Sequence, residues 1–441
     1  MLRMGFAEAD ITPDRPVELV GFYRKDNISK GVLAPLKAQA AVWEAGERCC
    51  LVTVDSIGFT RQLTDALRER IGGRLGISAE KVMVCFSHTH AAPEAEAEKE
   101  YYEETCGKIA DAATRALDSM APVTAGWGNA HADIGVNRRW ISEETDDRIG
   151  LLKICDEQSE DPKLLILRVT AHGNVLKRDN LMVSPDYFGN VRDTAGKRFR
   201  CPVMVIQGSA GNTAPRFFCS EETPVDAAGK RYTRSRTALQ DMADLITDSA
   251  AEVFGTIVQK KDPAVRMYSA RTVLESDGPG KEEALRVAED AKTRCGIDGS
   301  GWLSEVDRLT EAGIRTQRED VEIQYFSVGG WCLCGGAYEF MAGFALETER
   351  LLKDEFFYAN GYTDGCLLYF PTDEEFDAGG YEVFWSMLIY YPFTDRVYPF
   401  RRGSAGKLIR FMTEHAPVET QGTGPSETSS ALSSVSFGNV H

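Results

Sequence analysis

No stretch of this sequence approaches the roughly 20 consecutive apolar residues that a membrane-spanning helix needs. The opening residues, Met1-Leu2-Arg3-Met4-Gly5-Phe6, form no apolar leader segment and enter a strand-like pattern at once. Basic charge is also short: 50 Lys plus Arg stand against 67 Asp plus Glu, a net charge of −17. That balance argues against nucleic acid and against anionic membrane surfaces as partners. A cysteine framework is missing too. The 11 cysteines are odd in number and scattered, with Cys49-Cys50 adjacent and Cys85, Cys155, Cys201 and Cys366 set among apolar residues. No C-x₂-C pair marks a structural zinc site, so the thiols read as reduced and buried, in a cytoplasmic protein without membrane insertion. No internal repeat is present.

What is there can build a large core: 441 residues, 43% of them hydrophobic. The chain is organised around Lys81-Val82-Met83-Val84-Cys85-Phe86-Ser87-His88-Thr89-His90-Ala91-Ala92-Pro93. Its apolar half reads as a buried strand that stops at Ser-His-Thr-His and a chain-breaking Pro. Side chains at i and i+2 of an extended chain point the same way. His88 and His90 are therefore expected to project together from a strand end, where α/β sheets place their ligands. Two converging imidazoles suit a zinc-type ion. Alone, such a pair is more often structural; the rest of the chain gives it weight.

Strand-like runs cover residues 4–13, 37–44 and 49–55, and an apolar-faced helix is expected from Gln62 to Leu75, with a charged one from Glu98 to Met120. Further strands are expected at 123–131, 149–155, 164–171 and 203–206, the third ending at His172-Gly173. The last runs into Gln207-Gly208-Ser209-Ala210-Gly211-Asn212-Thr213-Ala214-Pro215-Arg216, a small-residue turn that lets backbone approach a ligand. Residues 278–320 read as a solvated helical hairpin, 321–334 as a hydrophobic β-hairpin, and Glu339 as the start of a helix reaching Leu352. The alternation of strands and helices predicts one large α/β domain over 1–415, a mixed sheet with helices on both faces. The Ser/Thr/Gly-rich end predicts a disordered tail over 416–441.

Seven segments, in order, carry a resemblance: Ala9-Asp10-Ile11-Thr12-Pro13, Ser87 to Pro93, Asn137-Arg138, His172-Gly173, Asp186, Gln207 to Asn212, and Glu339-Phe340-Met341-Ala342-Gly343. This order resembles that of the neutral/alkaline (non-lysosomal) ceramidases, over residues 9 to about 385. The resemblance implies an α/β catalytic domain; the immunoglobulin-like domain usual at the family's C-terminus is not expected here. It also implies one zinc ion held by His88, His172, Glu339 and Tyr369, although Tyr338 replaces the family's Gly before Glu339. His90 and Arg138 match residues beside the metal that contact the substrate's polar head. One departure is large. The family's nucleophilic Ser lies in a G-D-V-S-P turn, which here reads Gly211-Asn212-Thr213-Ala214-Pro215, with Ala214 in place of the Ser.

The expectation is therefore a zinc-dependent hydrolase of an amide or ester bond in a small soluble substrate. Zinc lowers the pKa of bound water to about 7, a nucleophile that needs no Ser. His90 would act as base or orient the water, Arg138 would hold a carboxylate or oxyanion, and Asn212 would donate hydrogen bonds. Gly208, Ser209, Gly211, Thr213 and Ala214 would line the substrate. The competing readings are a catalytically inactive, ceramidase-like ligand-binding protein and a metal-free scaffold. In the latter, Glu339 is a helix cap, Tyr369 a core phenol, and Asp55 and Asp186 ligands of loop amides rather than supports for the histidines.

Overall fold

The fold is described here from a computed structural model covering residues 1–223, 231–394 and 396–417. The tail expected at 416–441 lies, from residue 418 onward, outside the described residues.

Eight strands form one mixed sheet. In spatial order they are Val203–Gln207, Pro162–Val169, Arg148–Asp156, Ala121–His131, Arg3–Asp10, Lys37–Ala45, Glu47–Val54 and Val82–Phe86. Parallel pairs occur only next to the two edges, between 50–54 and 82–86 and between 165–169 and 203–207. Each needs a crossover, supplied by the helices Arg61–Leu75 and Tyr187–Phe199. The first helix is bounded by its own residues: the Thr60 hydroxyl accepts from Leu63 N, and Gly76 closes the end in the left-handed conformation. Its buried Thr64, Leu67, Arg68, Ile71 and Leu75 recur at helical spacing and face the sheet.

Two half-sheets make up this array. They join through only two residue pairs, Arg3 with Pro122 and Met4 with Ala121. The halves fold toward each other, so the outer strands Val82–Phe86 and Val203–Gln207 become neighbours. Gln39 Nε2 donates to Val203 O at 2.9 Å across this approach, and Gln207 Nε2 lies 3.5 Å from Ser87 O.

Period-two alternation sorts the side chains. Ala38, Ala40 and Val42 pack with the helices Arg61–Leu75 and Lys99–Asp118, whereas Ala41 and Trp43 point the other way. The expected α/β domain with a helix-layered mixed sheet is present. On its second face, however, a four-stranded sheet intervenes: Val265–Asp277, Thr316–Val328, Trp331–Gly335 and Phe357–Asn360. Phe326, Val328, Trp331 and Leu333 meet Trp43, Leu51, Met83 and Ile166. Val321, Ile323 and Tyr325 of the same hairpin face outward to the helices Ala342–Leu352 and Ser404–Glu414. A hairpin apolar on both faces is the mark of an inner layer.

Two local expectations change. Residues 278–320 do contain two helices, Lys281–Cys295 and Ser300–Glu311, but Trp302 and Val306 pack on Leu388 and Val397 rather than leaving the hairpin solvated. Glu339 does not begin a helix. Glu339–Phe340 is a short strand paired in parallel with Tyr369–Phe370, and the helix starts at Ala342. No helix among the described residues is long and apolar enough to cross a membrane.

Candidate metal centre

The meeting of the two sheet edges brings His88 and His90, which follow the strand Val82–Phe86, to His172, which follows Pro162–Val169. Strand alternation is not what aligns the first two. The strand ends at Phe86, and His88 has a left-handed backbone, φ 59°, so a turn carries both rings inward. A non-glycine residue held there is strained, and such strain gathers at functional sites. The rings of His88 and His90 stand 5.0 Å apart, and His172 lies 4.5 Å and 5.1 Å from them, centroid to centroid. All three are buried and could hold a metal ion.

The hydrogen bonds fix which nitrogens face the centre. His88 Nδ1 lies 2.6 Å from Ile57 O, and His172 Nδ1 lies 3.1 Å from Ala210 O. A carbonyl only accepts, so both protons sit on Nδ1 and both Nε2 atoms present lone pairs. These Nε2 atoms are 3.1 Å apart, and Glu339 Oε2 is 3.4 Å from one and 3.7 Å from the other. Two lone pairs and a carboxylate this close repel unless a positive charge is shared among them. Ligand atoms about 2.0–2.1 Å from one zinc lie about 3.3 Å apart at the tetrahedral angle, so this donor set fits a metal ion.

Glu339 reaches the centre because its strand is pressed against the small-residue turn. Gly211 N donates to Phe340 O at 2.8 Å, and a Cβ on Gly211 would stand 2.5 Å from Glu339 O. Tyr362, which the sequence reading missed, also belongs here: its hydroxyl donates to Glu339 Oε2 at 3.3 Å, and its ring lies 4.4 Å from that of His88. The only local signal was its place in a glycine-bracketed turn, Gly361 to Gly365.

Arg138 is clamped beside the centre. Its Nη2 donates to Gly211 O at 2.7 Å and to Tyr369 OH at 3.1 Å, and its Nε pairs with Glu382 at 3.2 Å. Burial opposes its charge, but Tyr369, Glu382 and Glu339 outweigh that and raise its pKa. Burial, then Glu339, pushes the Tyr369 phenol well above its ordinary value. Burial, then Arg138, holds His172 well below the histidine range; burial and then His88 do the same for His90.

The turn residues are differently occupied. Asn212 donates through Nδ2 to Glu375 at 2.8 Å and accepts from Ala342 N at 2.9 Å. Ser209 Oγ donates to Ala359 O at 2.7 Å, and Thr213 Oγ1 lies 3.5 Å from Asn212 Oδ1. Ala214 pairs with Val136 in a two-stranded ladder, and a Cβ on Gly208 would strike Thr170 and Arg168. Asp55 and Asp186 do not touch the histidines: Asp55 pairs with Arg192, and Asp186 accepts from the amides of Val175, Leu176 and Tyr187.

A loop at 21–24 covers His90. Gly21, at φ +102°, lets its backbone pass where a Cβ would stand 2.5 Å from the His90 ring. The Phe22 ring lies tilted, at 59°, 4.8 Å from that of His90, and Arg24 Nη2 donates to His90 O at 3.1 Å. Both His90 ring nitrogens are buried without a partner.

Fold and site together define an α/β protein with a buried histidine–carboxylate centre where the two sheet edges meet. No family model and no curated protein matches the sequence. Solved structures do match in architecture. The neutral ceramidase from Pseudomonas aeruginosa superimposes with a TM-score of 0.70 at 17% identity, over 96% of this chain and 76% of that one. A structure described as a ceramidase complexed with C2 gives a TM-score of 0.68 at 17% identity, over 96% and 77%. The chain thus has the fold of these ceramidases.

Proposed function

We propose that this chain is a metal-dependent hydrolase of an amide or ester bond in a small substrate. The observation that carries the reading is the facing pair of Nε2 lone pairs, 3.1 Å apart, with Glu339 beside them. The fold supports it, since the name ceramidase denotes cleavage of an amide.

His88, His172 and Glu339 would hold the ion, with Tyr369 at the rim. A bound zinc-type ion supplies Lewis-acid polarisation of the scissile carbonyl and an activated water. His90, neutral and with two unpartnered ring nitrogens, takes the proton from the attacking water and returns it to the leaving group. Arg138 is fixed at three contacts and keeps further N–H groups for a developing oxyanion. Asn212 acts as a positioning residue that ties the turn to Ala342 and Glu375. The bonded Ser209 and the methyl side chain of Ala214 favour a water route over an acyl-enzyme.

The test joins metal analysis of the purified protein to hydrolysis of a panel of N-acyl and ester substrates with and without chelator. One equivalent of metal and chelator-sensitive turnover, with no covalent adduct trapped by a serine-reactive phosphonate, is the expected result. Bound metal with no turnover on any substrate would favour the ligand-binding relative. Absence of stoichiometric metal would overturn the reading.

A further inference from the structure

Two cations, Arg24 and Lys177, stand beside the candidate centre, and among the described residues neither forms an ion pair with a carboxylate. Arg24 donates through Nη2 to His90 O and through Nε to Arg178 O, both at 3.1 Å, which leaves Nη1 buried and unpaired. Burial shifts its guanidinium pKa downward, and its carbon lies 5.2 Å from the centre of the Phe22 ring. Lys177, on the loop after His172, has its ammonium 3.3 Å from Asn174 Oδ1 and 5.9 Å from the Phe218 ring. The acid acting on it, Asp186, already accepts from three backbone amides. Burial pushes this ammonium down to about 8, so at neutral pH it still carries its charge.

Arg24 ties the two sides of this place together, since it bonds His90 O and the O of Arg178, the residue next to Lys177. In a chain with 67 acidic and 50 basic residues, carboxylates are the commoner charge. Both cations are partly buried, and their neutral partners, two backbone carbonyls and the Phe22 ring at Arg24 and the Asn174 amide at Lys177, return only part of the lost hydration. A ligand can return the rest. Arg offers a planar fork and Lys a compact point charge, and the two converging on one oxyanion make a strong, charge-assisted site.

We propose that Arg24 and Lys177 bind a carboxylate on the substrate, so that the centre acts on N-acyl amino acids rather than on neutral N-acyl alcohols. The substrate half of this statement rests on the hydrolase reading above; the binding half does not. Arg24 bonds the backbone of His90 itself, so the carboxylate end lies on the His90 side of the centre. The acyl carbonyl then faces Arg138 and the two Nε2 atoms.

The experiment is calorimetric titration of the full-length, metal-replete protein with N-hexanoylglycine, its neutral amide N-hexanoylglycinamide, and the phosphonate N-hexanoyl-aminomethylphosphonate. The wild type should prefer the carboxylate over the neutral amide by at least about tenfold. In Arg24→Met, Lys177→Met and the double variant the ratio should fall toward one, while Arg24→Lys and Lys177→Arg, which keep the charge, should retain most of it. Equal affinity in the wild type, or an undiminished ratio in the double variant, would overturn the inference. Tighter binding of the phosphonate would overturn the carboxylate assignment. Discrimination without cleavage would sustain this inference and remove the hydrolase reading; cleavage without discrimination would do the reverse.

Discussion

Replacing Glu339 with Gln separates the metal-bound state from the metal-free one, because the two should respond with opposite sign. The carboxylate is 1% exposed, and its side chain accepts one long hydrogen bond, from Tyr362 OH at 3.3 Å. Without metal it is a buried charge facing two lone pairs, so a neutral isostere should leave stability unchanged or raise it. With metal it is the only anionic member of the inner set. Losing a group that merely orients a metal ligand costs 10–100-fold in affinity, so losing the ligand itself should cost at least about 100-fold. Thermal unfolding with zinc and with chelator measures the gap. At zinc equal to about 100 times the wild-type Kd, the wild type gains about 2.7 kcal/mol. A 100-fold weaker variant at the same concentration gains only about 0.4 kcal/mol by the same relation. The Tm difference between the two conditions should therefore nearly vanish in Glu339→Gln, while its chelated Tm matches or exceeds that of the wild type. A variant that keeps the full zinc-dependent gap would refute Glu339 as a ligand.

The ion network under the second sheet makes a separate prediction. Asp146 binds Arg148 Nε at 2.7 Å and Arg168 Nη1 at 2.6 Å, and Arg168 is wholly buried. Asp146→Ala takes the carboxylate from Arg168, which keeps only Asn360 Oδ1 and Ala359 O, while Arg148 retains Glu349 at 3.1 Å; it should cost about 3–5 kcal/mol, read from urea unfolding, and a loss under about 1 kcal/mol would contradict this. Burial raises the Asp364 carboxyl to about 7, against the pull of Arg68 at 3.6 Å. Its folded pKa lies above the unfolded one, so between about pH 4 and pH 7 the unfolded chain has lost a proton that the folded chain keeps. The wild type should lose stability relative to Asp364→Asn as pH rises through that window. Urea midpoints at pH 5, 6 and 7 whose difference stays constant would refute it.

Much of the centre could be read from residue order. His88, His90 and His172 each follow an apolar strand, and strand ends are where an α/β sheet exposes side chains. The reasoning about His88 and His90 reached the right neighbourhood through the wrong geometry, because nothing local announces a left-handed backbone at a histidine. Glu339 looked like a helix start since Ala342–Leu352 follows so closely; only its pairing with Tyr369–Phe370, thirty residues on, makes it a strand. The inner sheet was concealed for the same reason. An apolar hairpin does not reveal what covers each of its faces. Tyr362, Arg24 and Lys177 carry no spacing pattern, since they enter through loops that the fold alone brings to the histidines.

The joint between the half-sheets is narrow, two residue pairs wide, and the far edges meet around the histidines. In plan, the sheet is a pair of leaves joined at one narrow seam, with a clasp opposite it. Residues 88 and 90 belong to one leaf, 172 to the other, and 339 and 362 to segments laid down after both. No fragment ending before residue 339 contains the closed clasp, so it is completed only when most of the chain is in place. Contacts that form after the leaves have met are absent while they are apart. An ion shared among His88, His172 and Glu339 would accordingly retard opening far more than it hastens closure. Its withdrawal should show first as a shortened lifetime of the folded state, before any change in how fast the chain finds that state.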